Sequence, residues 1–133
     1  MAAKRSELRI VIVDDNPDAT YTLAMLIERG GFSVVAQVFD AQEAVDCIKQ
    51  HQPHVAILDI AMPLIDGYEV ARQLRAEIEG PLKLIAVSGL GQLCDKTDAL
   101  EAGFDAHLTK PANWSKLEAL LTSYLEESSP AHA

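Results

Sequence analysis

The stretch LRIVIVDDNPD (residues 8–18) decides how the chain folds. After Leu8 and Arg9, the residues Ile10, Val11, Ile12 and Val13 are apolar without alternation. A strand that is apolar on both sides belongs inside a sheet covered on both faces. The run stops at two acids, Asp14 and Asp15, followed by Asn16-Pro17, which reads as a helix N-cap and first helical position. Leu23, Leu26 and Ile27 then recur at helical spacing, and Gly30-Gly31 ends the helix.

The rest of the chain repeats this strand–corner–helix unit. Further apolar runs cover Phe32–Val38, Val55–Leu58, Leu82–Val87 and Ala106–Leu108. Asp40 with Glu43 resembles a capping box ahead of Ala44, Val45 and Ile48, and Pro53 closes that segment. Asp66 with Glu69 repeats the device ahead of Val70, Leu74 and Ile78. A fourth helix is expected over roughly 92–102. A fifth starts near Asn113 or Ser115 and carries Leu117, Leu120, Leu121, Tyr124 and Leu125. Five alternations of strand and helix predict an α/β fold: a doubly wound, open, five-stranded parallel sheet with helices on both faces and right-handed crossovers. The expected organisation is a polar N-terminal tail over 1–7, one domain over 8–126 and a flexible C-terminal tail over 127–133.

Composition narrows the function. The 133 residues include 11 Lys plus Arg against 20 Asp plus Glu, a formal charge of −9. Nucleic-acid binding needs a basic footprint, so direct binding is not expected. Docking on an anionic membrane is disfavoured for the same reason. No apolar run reaches the roughly 18 residues of a membrane span, and residues 1–9 have no signal-like apolar core. A cytoplasmic location is the resulting expectation. Cys47 and Cys94 are the only cysteines and read as isolated thiols. His51 and His54 flank Pro53 without metal-ligand company and read as surface residues.

In a doubly wound sheet, functional groups gather beyond the carboxyl ends of the strands. There the sequence puts Asp14 and Asp15 after the first strand, Asp59 after the third, Ser88 after the fourth and Lys110 after the fifth. Taken singly, each has a plain reading as a turn, cap or surface residue. Together, three carboxylates repel one another, and a hard cation such as Mg²⁺ relieves that cost. A carboxylate can act as nucleophile toward phosphorus, while an ammonium and a hydroxyl can contact the phosphoryl oxygens.

Four motifs in order carry a resemblance. IVDDNPD (12–18), ILDIAMPLIDGYEV (57–70), IAVSG (85–89) and ALEAGFDAHLTKP (99–111) resemble the acidic pair, phosphoacceptor strand and loop, hydroxyl-bearing strand and Lys-Pro approach of the receiver domain of two-component response regulators. The match runs from about Leu8 to Glu126. VSGLGQ (87–92) also resembles the receiver modules of hybrid sensor kinases.

The resemblance implies a flavodoxin-like (βα)5 fold with strand order 2-1-3-4-5. It implies that Asp59 accepts a phosphoryl group from a histidine kinase or histidine phosphotransfer protein. Asp14, Asp15, Asp59 and the backbone carbonyl of Ala61 would hold Mg²⁺, or Mn²⁺ in its place. Ser88 and Lys110 would contact the phosphoryl group, and the Lys110–Pro111 bond would be cis. The switch pair would be Ser88 and the residue three before Lys110. That residue is His107 here, where the family often has Tyr or Phe, and an imidazole adds a dependence on pH. Ala61 and Leu90 would flank the path of the hydrolytic water and tune phosphoryl lifetime. The fourth helix, fifth strand and fifth helix would form the partner face, where Trp114 is either a contact or a packing residue. Such a domain is a regulatory phosphoacceptor and not a conventional enzyme. A haloacid dehalogenase-type phosphatase would need Asp-x-Asp after the first strand, where Asp14 is followed by Asp15 and Asn16. A flavodoxin-like cofactor binder would need a Ser/Thr/Gly-rich loop there, and none is present. A receiver that binds partners without phosphorylation is the remaining alternative.

Overall fold

The computed structural model describes residues 4–60, 67–78, 80–88, 100–109 and 113–127. The elements are β1 (Arg9–Val13), α1 (Pro17–Arg29), β2 (Ser33–Val38), α2 (Ala41–His51), β3 (Val55–Asp59), α3 (Gly67–Glu77), β4 (Lys83–Ser88), β5 (Ala106–Thr109) and α4 (Trp114–Glu127). The strands form one sheet in the order β2-β1-β3-β4-β5, and every neighbouring pair is parallel. Class and strand order are those expected from the sequence. The helix expected over 92–102 falls outside the described residues, except for Leu100–Ala102, which are helical. The α4 of the structure is thus the fifth helix of the sequence pattern.

The unbroken apolar runs serve two cores at once. Val11, Val13, Ala56, Leu58, Leu84 and Ala86 pack against α2 and α3 through Ala44, Val45, Ile48, Val70, Ala71 and Leu74. The alternate residues Ile10, Ile12, Val55, Ile57, Ile85 and Val87 pack against α1 and α4 through Ala24, Ile27, Leu117 and Leu121. Each fully buried Ile or Leu contributes about 1.5–3 kcal/mol, so a polar residue at any central position would forfeit one layer.

Local chemistry sets the helix ends. Asn16 Oδ1 accepts the N–H groups of Asp18 and Ala19 at 3.0 and 3.4 Å, with Pro17 in the first turn. The Asp40 carboxylate accepts the Gln42 N–H at 2.8 Å. Asn113 Oδ1 accepts the Lys116 N–H at 3.2 Å at the head of α4. α2 ends at Gln52 in the left-handed region, φ 49°, directly before Pro53.

The amino ends of the strands are pinned by side chains. His54 Nδ1 accepts the Arg9 N–H at 3.0 Å, and its own N–H donates to the Arg9 carbonyl at 2.9 Å. The Lys83 N–H donates to the His54 carbonyl at 2.9 Å. His54 therefore bridges β1, β3 and β4 and is half-buried, not a surface residue as the sequence suggests. The Arg9 guanidinium donates to the carbonyls of His51 and Gln52 at the end of α2. Arg75 of α3 donates to the carbonyls of Gly103 and Leu82 and to Asp105 Oδ2, which also accepts the Leu84 N–H.

Residues Arg5–Glu7, read from the sequence as tail, form a 3-10 turn. Arg5 lies over the Phe32 ring and bonds the Gly30 carbonyl and Glu118, both at 2.9 Å. Trp114 stands edge-on to Phe32, 6.5 Å between ring centres. A Cβ on Gly30 would meet the indole at 2.3 Å, so only glycine leaves room for that ring. Of the two readings of Trp114, packing is the one with contacts behind it.

Candidate functional site

Three strand ends bring the acidic residues together. β1 ends at Val13, and the Asp14 N–H still donates to the Val38 carbonyl of β2 at 3.0 Å, which fixes the corner. Asp14 Oδ1 accepts the Asn16 N–H at 3.0 Å, so the acid is tied to the cap of α1. β3 pairs on both sides, and Asp59 is its last residue, level with Val87 of β4. The next residue, Ile60, donates its N–H to the Val87 carbonyl at 3.0 Å. Gly67 opens α3 directly over that turn, where a Cβ would come within 2.7 Å of the Ile60 Cα. The glycine of the Asp-Gly pair is therefore required by close approach of α3 to the residue after Asp59.

Oxygens of Asp14, Asp15 and Asp59 all lie within 4.8 Å of one another. Asp14 and Asp59 are only 5% and 6% exposed, while Asp15 is open to solvent. Two buried carboxylates and a third at this separation are a set of hard oxygen donors, which suits a small divalent cation better than a thiolate- or imidazole-binding metal. The amino end of α1 adjoins the cluster and its dipole favours negative charge there. Beneath the acids a cavity of about 410 Å³ is walled by Ile12, Leu23, Leu26, Ile57 and Val87.

Ser88, the last residue of β4, is 2% exposed. Its Oγ lies 2.8 Å from Nε2 of His107, the second residue of β5. The register explains the meeting: Ala86 is level with His107 and Ser88 with Thr109 on the same pair of strands. The sequence marks both residues as a switch pair but not this bond. Once β4 and β5 are aligned, the distance of two positions from Ala86 to Ser88 is the signal that would have revealed it. Ala61, Leu90, Lys110 and Pro111, all assigned roles from the sequence, lie outside the described residues, as does Cys94. Cys47 is half-buried on α2, 3.5 Å from His51 Nδ1, and burial followed by the nearby Glu43 charge pushes its thiol pKa up. It is an inert thiol by that measure.

A parallel α/β domain with acids clustered at the carboxyl edge of its sheet belongs to a well-populated class of signalling domains, and the comparisons place it there. The response regulator receiver domain matches residues 10–122. The chain belongs to that family, the receiver domains of two-component systems, whose signalling works through phosphorylation. A relative from Guillardia theta, named "Probable transcriptional regulator ycf27", is 33% identical over 123 residues, 92% of this chain and 47% of its own length. The chain spans about half the length of the curated relatives it matches. Among solved structures, the CheX–CheY–BeF3–Mg²⁺ complex from Borrelia burgdorferi aligns with a TM-score of 0.78 at 26% identity, covering 87% of each chain. The complex of the Saccharomyces cerevisiae histidine phosphotransfer signalling protein Ypd1 with the receiver domain of Ssk1 aligns with a TM-score of 0.77 at 25% identity, over 90% of this chain and 89% of that one. Among the described residues, no helix is long and apolar enough to cross a membrane.

Proposed function

We propose that this domain is a phosphoacceptor switch: Asp59 takes a phosphoryl group from a phosphohistidine on a histidine kinase or histidine phosphotransfer protein. The observation that carries the reading is the cluster of Asp14, Asp15 and Asp59 at the carboxyl ends of β1 and β3. An Asp59 carboxylate oxygen attacks phosphorus, a P–O bond forms, the P–N bond to the donor imidazole breaks, and that imidazole takes up a proton as it leaves. Asp14, Asp15 and Asp59, with the Ala61 carbonyl, would hold Mg²⁺ or Mn²⁺. When bound, such a cation offsets the mutual repulsion of the carboxylates and of the phosphoryl oxygens. Ser88 donates a hydrogen bond to the phosphoryl group and Lys110 pairs with its charge. The Lys110–Pro111 bond is read as cis on the resemblance alone. The relatives support this reading, since one aligned structure contains BeF3 and Mg²⁺ and another pairs a receiver with a phosphotransfer protein.

The output is read as protein contact through the fourth helix expected over roughly 92–102, β5 and α4. A charge of −9 supports a protein partner over nucleic acid for this domain itself. Ala61 and Leu90 are read as flanking the path of the hydrolytic water, with the apolar Leu90 side chain limiting its approach.

The test is intact mass after incubation with Mg²⁺ and acetyl phosphate or phosphoramidate. One phosphoryl group is expected, dependent on Mg²⁺ and absent in Asp59→Asn. No addition to the parent protein would overturn the reading in favour of a phosphorylation-independent binding module. In the same assay, Leu90→Asn is expected to lose its phosphoryl group faster, by about threefold to tenfold if the side chain limits water approach, on the scale of 1.4 kcal/mol per decade. An unchanged decay would remove Leu90 from the account.

A further inference from the structure

We propose that His107 is a positioning residue of the phosphoryl site. Through its hydrogen bond to Ser88 it sets where the Ser88 hydroxyl proton points, and it takes up a proton when Asp59 carries a phosphoryl group. The inference rests on the phosphoacceptor reading of Asp59 and goes beyond it by giving the site a proton-linked control.

The argument begins with one proton. A serine hydroxyl has a single O–H to donate. Ser88 is almost wholly buried, and its Oγ sits 2.8 Å from His107 Nε2. If that nitrogen is bare, it accepts the Ser88 proton, and Ser88 turns a lone pair toward the Asp59 end. A phosphoryl oxygen would then meet a lone pair. If the nitrogen carries a proton, it donates to Ser88 Oγ, and the serine proton is free for the phosphoryl oxygen. The imidazolium carries a proton on both ring nitrogens, so Nε2 can only donate and the productive arrangement is locked.

The topology makes the three residues neighbours. Asp59, Ser88 and His107 stand on the consecutive strands β3, β4 and β5. Asp59 is level with Val87, one residue before Ser88, and His107 is level with Ala86. Adjacent strands are about 4.8 Å apart, so the row spans roughly 10 Å. Replacing a carboxylate by an aspartyl phosphate raises the negative charge at one end of this row, which favours the imidazolium at the other. Among the described residues, the charged or titratable groups on surrounding elements are few. They are Asp14, Asp15 and Asp59 beyond β1 and β3, and Tyr68 of α3, whose ring meets Phe104 edge-on. Asp105 before β5 is taken by Arg75. Lys83 lies at the opposite end of β4, over the Tyr124 ring. In the sequence Lys110 follows Thr109, and each variant named below keeps it.

The sign follows from linkage. Phosphorylation raises the His107 pKa, so lower pH favours the phosphorylated state. The effect is complete below the pKa of the unphosphorylated form and is lost as pH rises through the pKa of the phosphorylated form. An NMR pH titration of the histidine rings in constant Mg²⁺, with and without beryllofluoride, tests this directly. The His107 signal, assigned by its absence in His107→Gln, is expected to move its midpoint upward by about half a pH unit or more. Beryllofluoride binding to the parent protein is expected to tighten about threefold to tenfold from pH 8 to pH 6, relative to His107→Gln. The glutamine keeps an N–H donor for Ser88 but does not titrate, so it should bind well without that extra slope. His107→Phe, which neither accepts from nor donates to Ser88, should also lose the pH slope, binding more weakly than the parent at pH 6 but not at pH 8. In Ser88→Ala the His107 midpoint should respond less to beryllofluoride, since only the through-space charge is left to move it. A fixed His107 midpoint in the beryllofluoride-saturated parent, or a parent-like slope in His107→Gln, would overturn the proposal and leave the phosphoacceptor reading standing. Failure of beryllofluoride to bind, together with no phosphoryl addition by mass, would overturn that reading itself.

Discussion

The two ends of the parallel sheet use polar residues in opposite ways. At the amino end, Arg9, His54 and Arg75 spend their hydrogen bonds on backbone groups and on Asp105, and each bond ties one element to another. At the carboxyl end, Asp14 and Asp59 are drawn under the surface beside Asp15, so acids collect where each adds to the others' repulsion. One end is arranged for satisfaction, and the other gathers like charge, as the proposed phosphoacceptor role requires. Parallel strands make this division natural, because every β–α corner falls at the carboxyl end and every α–β corner at the amino end. A substitution at one end should therefore change chemistry without loosening the fold, and at the other should loosen the fold without changing chemistry.

The largest effect expected is at the reactive end. Asp59→Asn should abolish phosphoryl incorporation, while its urea midpoint should equal or exceed that of the parent, since a buried repelling charge is removed. A large loss of stability would mean that Asp59 holds the fold, and the contrast between the ends would fail. Arg75→Met is the reciprocal test. It leaves the Gly103 and Leu82 carbonyls and Asp105 without their shared donor. About 2 kcal/mol should be lost in urea unfolding, a figure kept low because the side chain is partly solvated. Phosphoryl incorporation by the folded protein should stay within twofold or so of the parent, a difference well under the 1.4 kcal/mol of a full decade.

The same division explains what could be read from sequence. Ile10–Val13 announces a strand buried on both faces because the signal lies in four adjacent residues. Asn16-Pro17 announces the head of α1 because a cap bonds only to its own first turn. Asp14, Asp15 and Asp59 become a site as soon as the strand ends are known, since topology alone gathers them. The pinning contacts are different. His54 meets Arg9 across 45 residues, and Arg75 meets Gly103 across 28. Their partners are mostly main-chain groups, which carry no residue signature, so His54 reads as a surface residue from the sequence. The Ser88–His107 bond spans 19 residues and depends on the β4–β5 register, which the sequence does not print. Trp114 is similar: its place follows from a missing Cβ on Gly30, at the end of another helix.

The smallest effect expected separates the two ends by the sign of a pH response. Burial, followed by the Arg9 charge, holds the His54 imidazole pKa below its ordinary value. The cause is visible in the structure, because Nδ1 must stay bare to accept the Arg9 N–H. A histidine pKa that is lower folded than unfolded stabilises the fold above its unfolded value, near 6.5. That contribution is lost as pH falls through the folded pKa. His54→Gln supplies a carbonyl oxygen for the same N–H and does not titrate. The stability of the parent relative to His54→Gln should therefore decline modestly between pH 7 and pH 5, with the carboxylates common to both cancelling. His107, at the other end of the sheet, is expected to respond the other way, with acid favouring its bonded, phosphoryl-linked state. A decline at His54 with a rise at His107 would show one residue type serving structure at one edge and signalling at the other. The same sign at both would mean that position in the sheet does not set the role.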